Sequence, residues 1–138
     1  MKHTKWRDYV KGIKEGLIPS CTLIKQAVSR FETFLDRDDI YLDEKGFDDC
    51  VDFIATIKHF LGKSAGKPFI LEPFQEFILI NLFLKYKATK FRVATELYIQ
   101  VARKAGKDAF MAALALYLMV LEGEASPEIV CAANSTDQ

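Results

Sequence analysis

Apolar residues recur at helical spacing through the first part of the chain. Trp6, Tyr9, Val10 and Ile13 share one face, and Gly16 stands where a cap is needed, which predicts a first helix. Leu17-Ile18-Pro19 turns the chain. Ser20 or Thr22 is placed to cap a second helix with the stripe Leu23, Ile24, Ala27, Val28, Phe31, Phe34 and Leu35. Lys25, Gln26, Arg30 and Glu32 form its solvated side, and the run Asp36-Arg37-Asp38-Asp39 reads as a connector. Asp43 is placed to cap a third helix that turns Phe47, Val51, Phe53, Ile54, Ile57, Phe60 and Leu61 inward. His59 falls at its end, where the helix dipole favours a cation. A fourth helix begins at Pro73, whose missing N–H costs nothing in a first turn. Phe74, Phe77, Ile78, Leu79, Ile80, Leu82, Phe83 and Leu84 make it apolar almost all round, hence central.

The pattern changes after the basic turn Lys85 to Lys90. Leu97, Tyr98, Ile99 and Val101 form a short β-rich run, expected to be a buried strand. Ala102 to Ala105 is a turn crowded with cations. Gly106-Lys107 then opens a helix with Phe110, Met111, Leu114, Leu118 and Leu121 on one face and Gly123 as its cap. Beyond Ser126-Pro127, Ile129, Val130, Cys131 and Ala132 are expected to form a second strand. A strand-helix-strand crossover is right-handed, so the two strands should lie parallel. The expected fold is mixed α/β and mostly helical. Residues 1–90 form a helical region, and 91–138 begin a parallel sheet that lacks the neighbours such a sheet needs.

A strand that ends at Gly-Lys and resumes as a helix makes a phosphate cradle. The orphan N–H groups of the first turn and the helix dipole favour an anion, and the lysine supplies a mobile charge. Against the general phosphate-loop pattern, Val101 stands where a first glycine belongs and Asp108 where a Ser or Thr would hold magnesium. An αβ turn with a solvated basic patch fits the same residues. Gly62-Lys63-Ser64 has the right residues in the wrong context, with a helix before it and Pro68 after it, and reads as a flexible basic loop. Gln75, polar at the start of an apolar helix, needs a partner. That partner is either a nearby backbone group or an adenine, whose N6 donor and N7 acceptor match a carboxamide.

The run Lys67-Pro-Phe-Ile-Leu-Glu-Pro-Phe-Gln-Glu-Phe-Ile-Leu79, followed by Leu97-Tyr-Ile-Gln-Val-Ala-Arg-Lys-Ala-Gly-Lys107, resembles the amino-terminal part of a tailed-phage terminase large subunit. The resemblance extends roughly from Trp6 to Gln138. It implies a P-loop NTPase-like sheet and the ATP-driven packaging of double-stranded DNA into a procapsid. It also implies a deviant phosphate loop (Walker A) with an early arginine, here Arg103, and a catalytic lysine, here Lys107. The family's adenine-binding glutamine, after a Pro-aromatic pair, matches Gln75 after Pro73-Phe74. Nucleotide contacts are thereby implied for Gln75, Arg103, Lys104, Ala105, Gly106, Lys107 and Asp108, with Arg103 and Lys107 catalytic. ATP and Mg2+ are the implied cofactors and Asp108 the candidate metal ligand. DNA, the portal and the small terminase subunit are the implied partners, in the host cytoplasm. Asp108 departs from the family's Ser or Thr. A carboxylate about 4 Å from a polyphosphate repels it by about 4 kcal/mol at an effective dielectric near 20, so nucleotide binding is expected to be weak and metal-dependent, or lost. The chain ends at Gln138, before the family's acidic magnesium motif, its coupling motif and its nuclease domain, so hydrolysis by this chain alone is not expected. The alternative is a prophage remnant serving as a non-catalytic helical module or homo-oligomer.

Composition limits the remaining choices. With 138 residues, half of them hydrophobic, the chain is long enough for one core. Lys plus Arg and Asp plus Glu are 19 each, so no global charge selects a nucleic acid or a membrane. Cys21, Cys50 and Cys131 lack paired spacing and read as buried thiols of a reducing compartment. No signal peptide is expected in MKHTKWRDYV, and the longest apolar run, Ala109 to Leu121, falls short of a membrane span.

Overall fold

A computed structural model describes residues 1–59, 65–102, 105–123 and 128–130. The chain forms two compact units, Met1–Gln100 and Val101–Gln138.

The first unit holds α1 (Lys5–Lys14), α2 (Thr22–Leu35), β1 (Ile40–Leu42), α3 (Glu44–Thr56), α4 (Pro73–Ile80) and β2 (Leu84–Tyr86), with a 3-10 turn at Asn81–Phe83 joining α4 to β2. Helix α1 packs chiefly on α4 and also on α2. An aromatic chain runs through this contact. Trp6 meets Phe31 edge to face at 5.4 Å between ring centroids, Phe31 meets Phe77 at 5.7 Å, and Tyr9 tilts against Phe77 at 5.6 Å. Such pairs favour edge-to-face geometry because ring faces are negative and edges positive. Phe47 of α3 meets Phe83 of the 3-10 turn edge to face at 5.9 Å.

Strands β1 and β2 pair antiparallel, with Ile40 opposite Tyr86 and Leu42 opposite Leu84. The pairing runs directly into a helix start. The Asp43 N–H donates to the Phe83 carbonyl at 2.9 Å, and the Asp43 side chain caps α3 by accepting from Gly46 N–H at 3.0 Å. Its other oxygen receives Lys85 Nζ from β2 at 2.7 Å. Burial opposes ionisation of Asp43, but Lys85 and the Gly46 N–H outweigh it and hold the carboxyl below its ordinary value. Ahead of α1, the Lys2 ammonium and the His3 ring both reach Asp52 of α3, at 2.9 and 2.8 Å, while the His3 N–H meets Asp48 at 3.0 Å.

The predicted starts of α3 and α4 are found as expected, and α1 ends in Gly16 at a left-handed φ of 73°. Other expectations are corrected. Neither Ser20 nor Thr22 caps α2: Cys21 occupies that position without a side-chain bond, and Ser20 Oγ donates to the Ile18 carbonyl. Leu23 and Leu35 are exposed, so the buried stripe of α2 narrows to Val28 and Phe31. Helix α3 stops at Thr56. His59 lies beyond it in a hairpin-like closure, where its N–H meets the Lys67 carbonyl at 3.0 Å and its carbonyl takes Gly66 N–H at 2.7 Å. Phe60, Leu61, Gly62, Lys63 and Ser64 lie outside the described residues. Leu84 belongs to β2 and not to α4. Cys21 is exposed and Cys50 buried; Cys131 lies outside the described residues.

The second unit contains α5 (Lys107–Val120), which buries Phe110, Ala113, Leu114 and Tyr117. Met111 and Leu121, expected inward, are exposed. Gly123 beyond the helix has a φ of 80°. Residues Leu97 to Val101, expected as a strand, take no strand pairing, and neither do residues 128–130. Among the described residues β1–β2 is the one sheet, and it is antiparallel. A strand exists by its ladder, and the residues described here offer Leu97–Val101 no neighbour. Tyr98 is accordingly 86% exposed. No helix among the described residues is long and apolar enough to cross a membrane.

Candidate functional site

Gln75 lies in the first unit, at the third position of α4, and is 4% exposed. Its Oε1 accepts the Glu72 N–H at 3.0 Å, closing a capping interaction across the Glu72-Pro73-Phe74 turn. The backbone partner foreseen for this side chain is therefore present. It does not exhaust the group, because a carboxamide oxygen has a second lone pair and the NH2 has two donors.

Glu76, next along, was not foreseen and is 1% exposed. Its Oε2 accepts the N–H of Trp6, in the first turn of α1, at 3.2 Å. Burial pushes this carboxyl above the ordinary carboxylate value, and the Trp6 N–H, Lys5 and His3 offset only part of that. Nearby, Lys5 Nζ donates to the Leu71 carbonyl at 2.8 Å. The clue in the sequence was a charge inside an otherwise apolar turn, which a buried α4 must partner.

The second unit holds the Gly-Lys pair. Gly106 caps α5 in the left-handed region at φ 76°, a conformation that favours glycine. Lys107 and Asp108 are the first two helical residues. The first intrahelical bond runs from Phe110 N–H to the Gly106 carbonyl at 3.0 Å, so the N–H groups of the opening turn are orphans of a 14-residue helix, and no side chain among the described residues caps them. Ala105 N–H bonds the Ala102 carbonyl at 3.2 Å. The Lys107 side chain is half exposed, and that of Asp108 is 97% exposed. Their charges stand 3.7 Å apart, an exposed pair of small energetic consequence. Arg103 and Lys104 lie outside the described residues.

The donor set of this turn fits a phosphate: a left-handed glycine, uncapped N–H groups and a reachable ammonium. A single carboxylate suits magnesium, which keeps waters and phosphate oxygens as its other ligands. With Asp108 97% exposed, its repulsion of a polyphosphate falls from about 4 kcal/mol at a dielectric near 20 toward the roughly 1 kcal/mol of bulk water. Among the described residues no three or more His, Cys, Asp or Glu side chains gather to hold a metal. A cleft of about 380 Å³ in the first unit has Trp6 and Phe31 among its walls; Gln75 is not one of its lining residues.

Residues 73–138 match the family model of the terminase large subunit, ATPase domain. The match supports a terminase large subunit fragment. It is narrower than the stretch from Trp6 to which the resemblance extends, and it contains both Gln75 and the Gly106-Lys107-Asp108 turn. No curated protein and no solved structure matches the chain.

Proposed function

We propose that the chain is the nucleotide-binding part of a viral DNA-packaging terminase large subunit. The carrying observation is the uncapped start of α5, where left-handed Gly106 and half-exposed Lys107 fall inside the matched ATPase segment. In this reading the backbone from Ala102 to Lys107 holds a β-phosphate, and Lys107 neutralises β- and γ-oxygens. Asp108 contributes an oxygen to Mg2+. Gln75 contacts adenine while its oxygen keeps the Glu72 N–H. Arg103, by resemblance, stabilises charge spreading over the γ-phosphoryl, and Lys104 meets solvent or another phosphate. Bound ATP with magnesium supplies the phosphoryl group whose transfer drives the family's motor.

Residues 1–90 then form a helical region bearing the base contact, and 91–138 the first strand-loop-helix-strand unit of a parallel sheet. Leu97–Val101 becomes a strand when a neighbouring strand pairs with it. Double-stranded DNA, the portal and the small subunit are the partners this reading assigns, in the host cytoplasm.

The test is calorimetric titration with a slowly hydrolysed ATP analogue, with and without magnesium, on the native chain, Asp108→Thr and Lys107→Ala. Support is magnesium-dependent binding by the native chain that strengthens in Asp108→Thr and disappears in Lys107→Ala. No binding by either the native chain or Asp108→Thr, or full binding by Lys107→Ala, overturns the reading.

A further inference from the structure

We infer that Glu76 and Lys5 are positioning residues that couple the N-terminal helix α1 to the turn carrying Gln75. The inference rests on the reading of Gln75 as the base contact.

Three contacts from α1 bracket Gln75. Lys5 Nζ holds the Leu71 carbonyl, one residue before Glu72. The Trp6 N–H holds the carboxylate of Glu76, one residue after Gln75, and Tyr9 lies against Phe77, one residue further. The two hydrogen bonds span 66 and 70 residues of sequence, so nothing local enforces them. Between their anchor points lies the Glu72 N–H to Gln75 Oε1 bond that fixes the carboxamide. Both ends of the Gln75 turn are therefore tied to α1, and the Gln75 amide inherits its orientation from that docking.

A carboxylate in the place of Glu76 calls for a reason beyond packing. Burying a charge is costly, and an apolar side chain fills such a space without that cost. A carboxylate adds direction. It accepts an orphan N–H of α1 while sitting in the first turn of α4, so the positive ends of two helices converge on it. With Gln75 4% exposed, a base meets the amide only as neighbouring groups shift. Affinity then depends on how firmly the turn is held.

The test uses the whole chain, well below its melting temperature, as native, Glu76→Ala, Glu76→Gln and Lys5→Met. Residue-resolved hydrogen exchange at the Trp6 and Glu72 amides reads the coupling without ligand. Titration with slowly hydrolysed ATP and GTP analogues plus magnesium reads its effect on the base contact. In Glu76→Ala, exchange rises at both amides, affinity for the adenine analogue falls about tenfold, and the preference over guanine narrows. Glu76→Gln keeps an oxygen acceptor and restores both readouts. By linkage, saturating analogue increases protection of the Trp6 amide in the native chain. Faster exchange at Trp6 with no change at Glu72 overturns the coupling. Unchanged or stronger affinity in folded Glu76→Ala overturns the positioning role and leaves Glu76 a structural residue. If the native chain binds neither analogue while the exchange coupling is intact, the nucleotide reading itself has failed, and the functional part of the inference fails with it. Should Glu76→Ala not fold, Lys5→Met decides, with the same directions expected and an unchanged Glu72 amide and affinity overturning the proposal.

Discussion

Gln75 has two partners to serve, and substitution separates them. In Gln75→Ala the Glu72 N–H loses its acceptor, a loss of about 1 kcal/mol where water can partly replace it. One buried methylene goes as well, for roughly 0.8 kcal/mol. The sum, about 2 kcal/mol, lowers the melting temperature by roughly 6 °C for a domain of this size. Gln75→Glu is the informative variant. Glu and Gln serve equally at this helix position as acceptors for the backbone N–H, and a carboxylate gains a few tenths of a kcal/mol from the helix start. It lacks the NH2 donor, however, and therefore cannot match adenine N7. Its melting temperature should lie nearer the native value than that of Gln75→Ala. Its affinity for an ATP analogue with magnesium should drop by about 1–3 kcal/mol, the worth of a paired carboxamide-base contact, or roughly fivefold to 150-fold. Melting curves and calorimetric titration on the same samples check both halves. Native-like affinity in Gln75→Glu would falsify the base contact and leave Gln75 a helix cap. A native-like melt in Gln75→Ala would refute the capping role.

Asp43→Ala removes the cap of α3 and the partner of Lys85 together, and should cost about 2 kcal/mol, mostly from the cap because the ion pair is partly hydrated. Since its carboxyl is held below the ordinary value, this stability is present above the unfolded-state pKa and fades as pH falls through the folded one; denaturant titrations of both proteins should converge toward acid. Glu76 has the opposite sign. Its carboxyl is pushed up, so the native fold binds its proton more readily than the unfolded chain, and native stability declines as pH rises from the unfolded value through the folded one. Glu76→Gln should lose that decline. Parallel melts across mildly acidic to neutral pH that stay offset by a constant amount would contradict the assignment.

What could be read in advance was local. Asp43 at a cap, Pro73 in a first turn and Gly106 before a helix each announce themselves through backbone chemistry, and the structure places all three as expected. The two strands were missed because three residues are too few to show alternation, and Leu84 continues the apolar run of α4. Leu97–Val101 has a strand's composition, but pairing is non-local and composition does not supply a neighbour. Leu23 and Leu35 fit the period of α2 yet face outward, because a stripe says which side is apolar and not how much of it a neighbour covers. Glu76 shows in the sequence as a charge in a buried helix start, but its partner, 70 residues away, does not. The Gly-Lys turn was legible as a helix start; the side chains of Arg103 and Lys104 lie outside the described residues.

The shared carboxylate of Asp43 also sets a limit on how this fold can be improved. Glycine inside a helix gives away up to about 1 kcal/mol relative to alanine, which makes Gly46 the obvious residue for a stabilising redesign of α3. A methyl group there would stand 2.7 Å from Asp43 Oδ2 and 3.0 Å from its Cγ. Both oxygens of that carboxylate are already committed, one to the helix end and one to the sheet. The bare backbone at position 46 is thus the clearance that lets one short side chain join helix and hairpin, and Gly46→Ala should melt lower where propensity alone predicts higher. Glycine at this point of α3 is a tolerance for an engineer to leave alone.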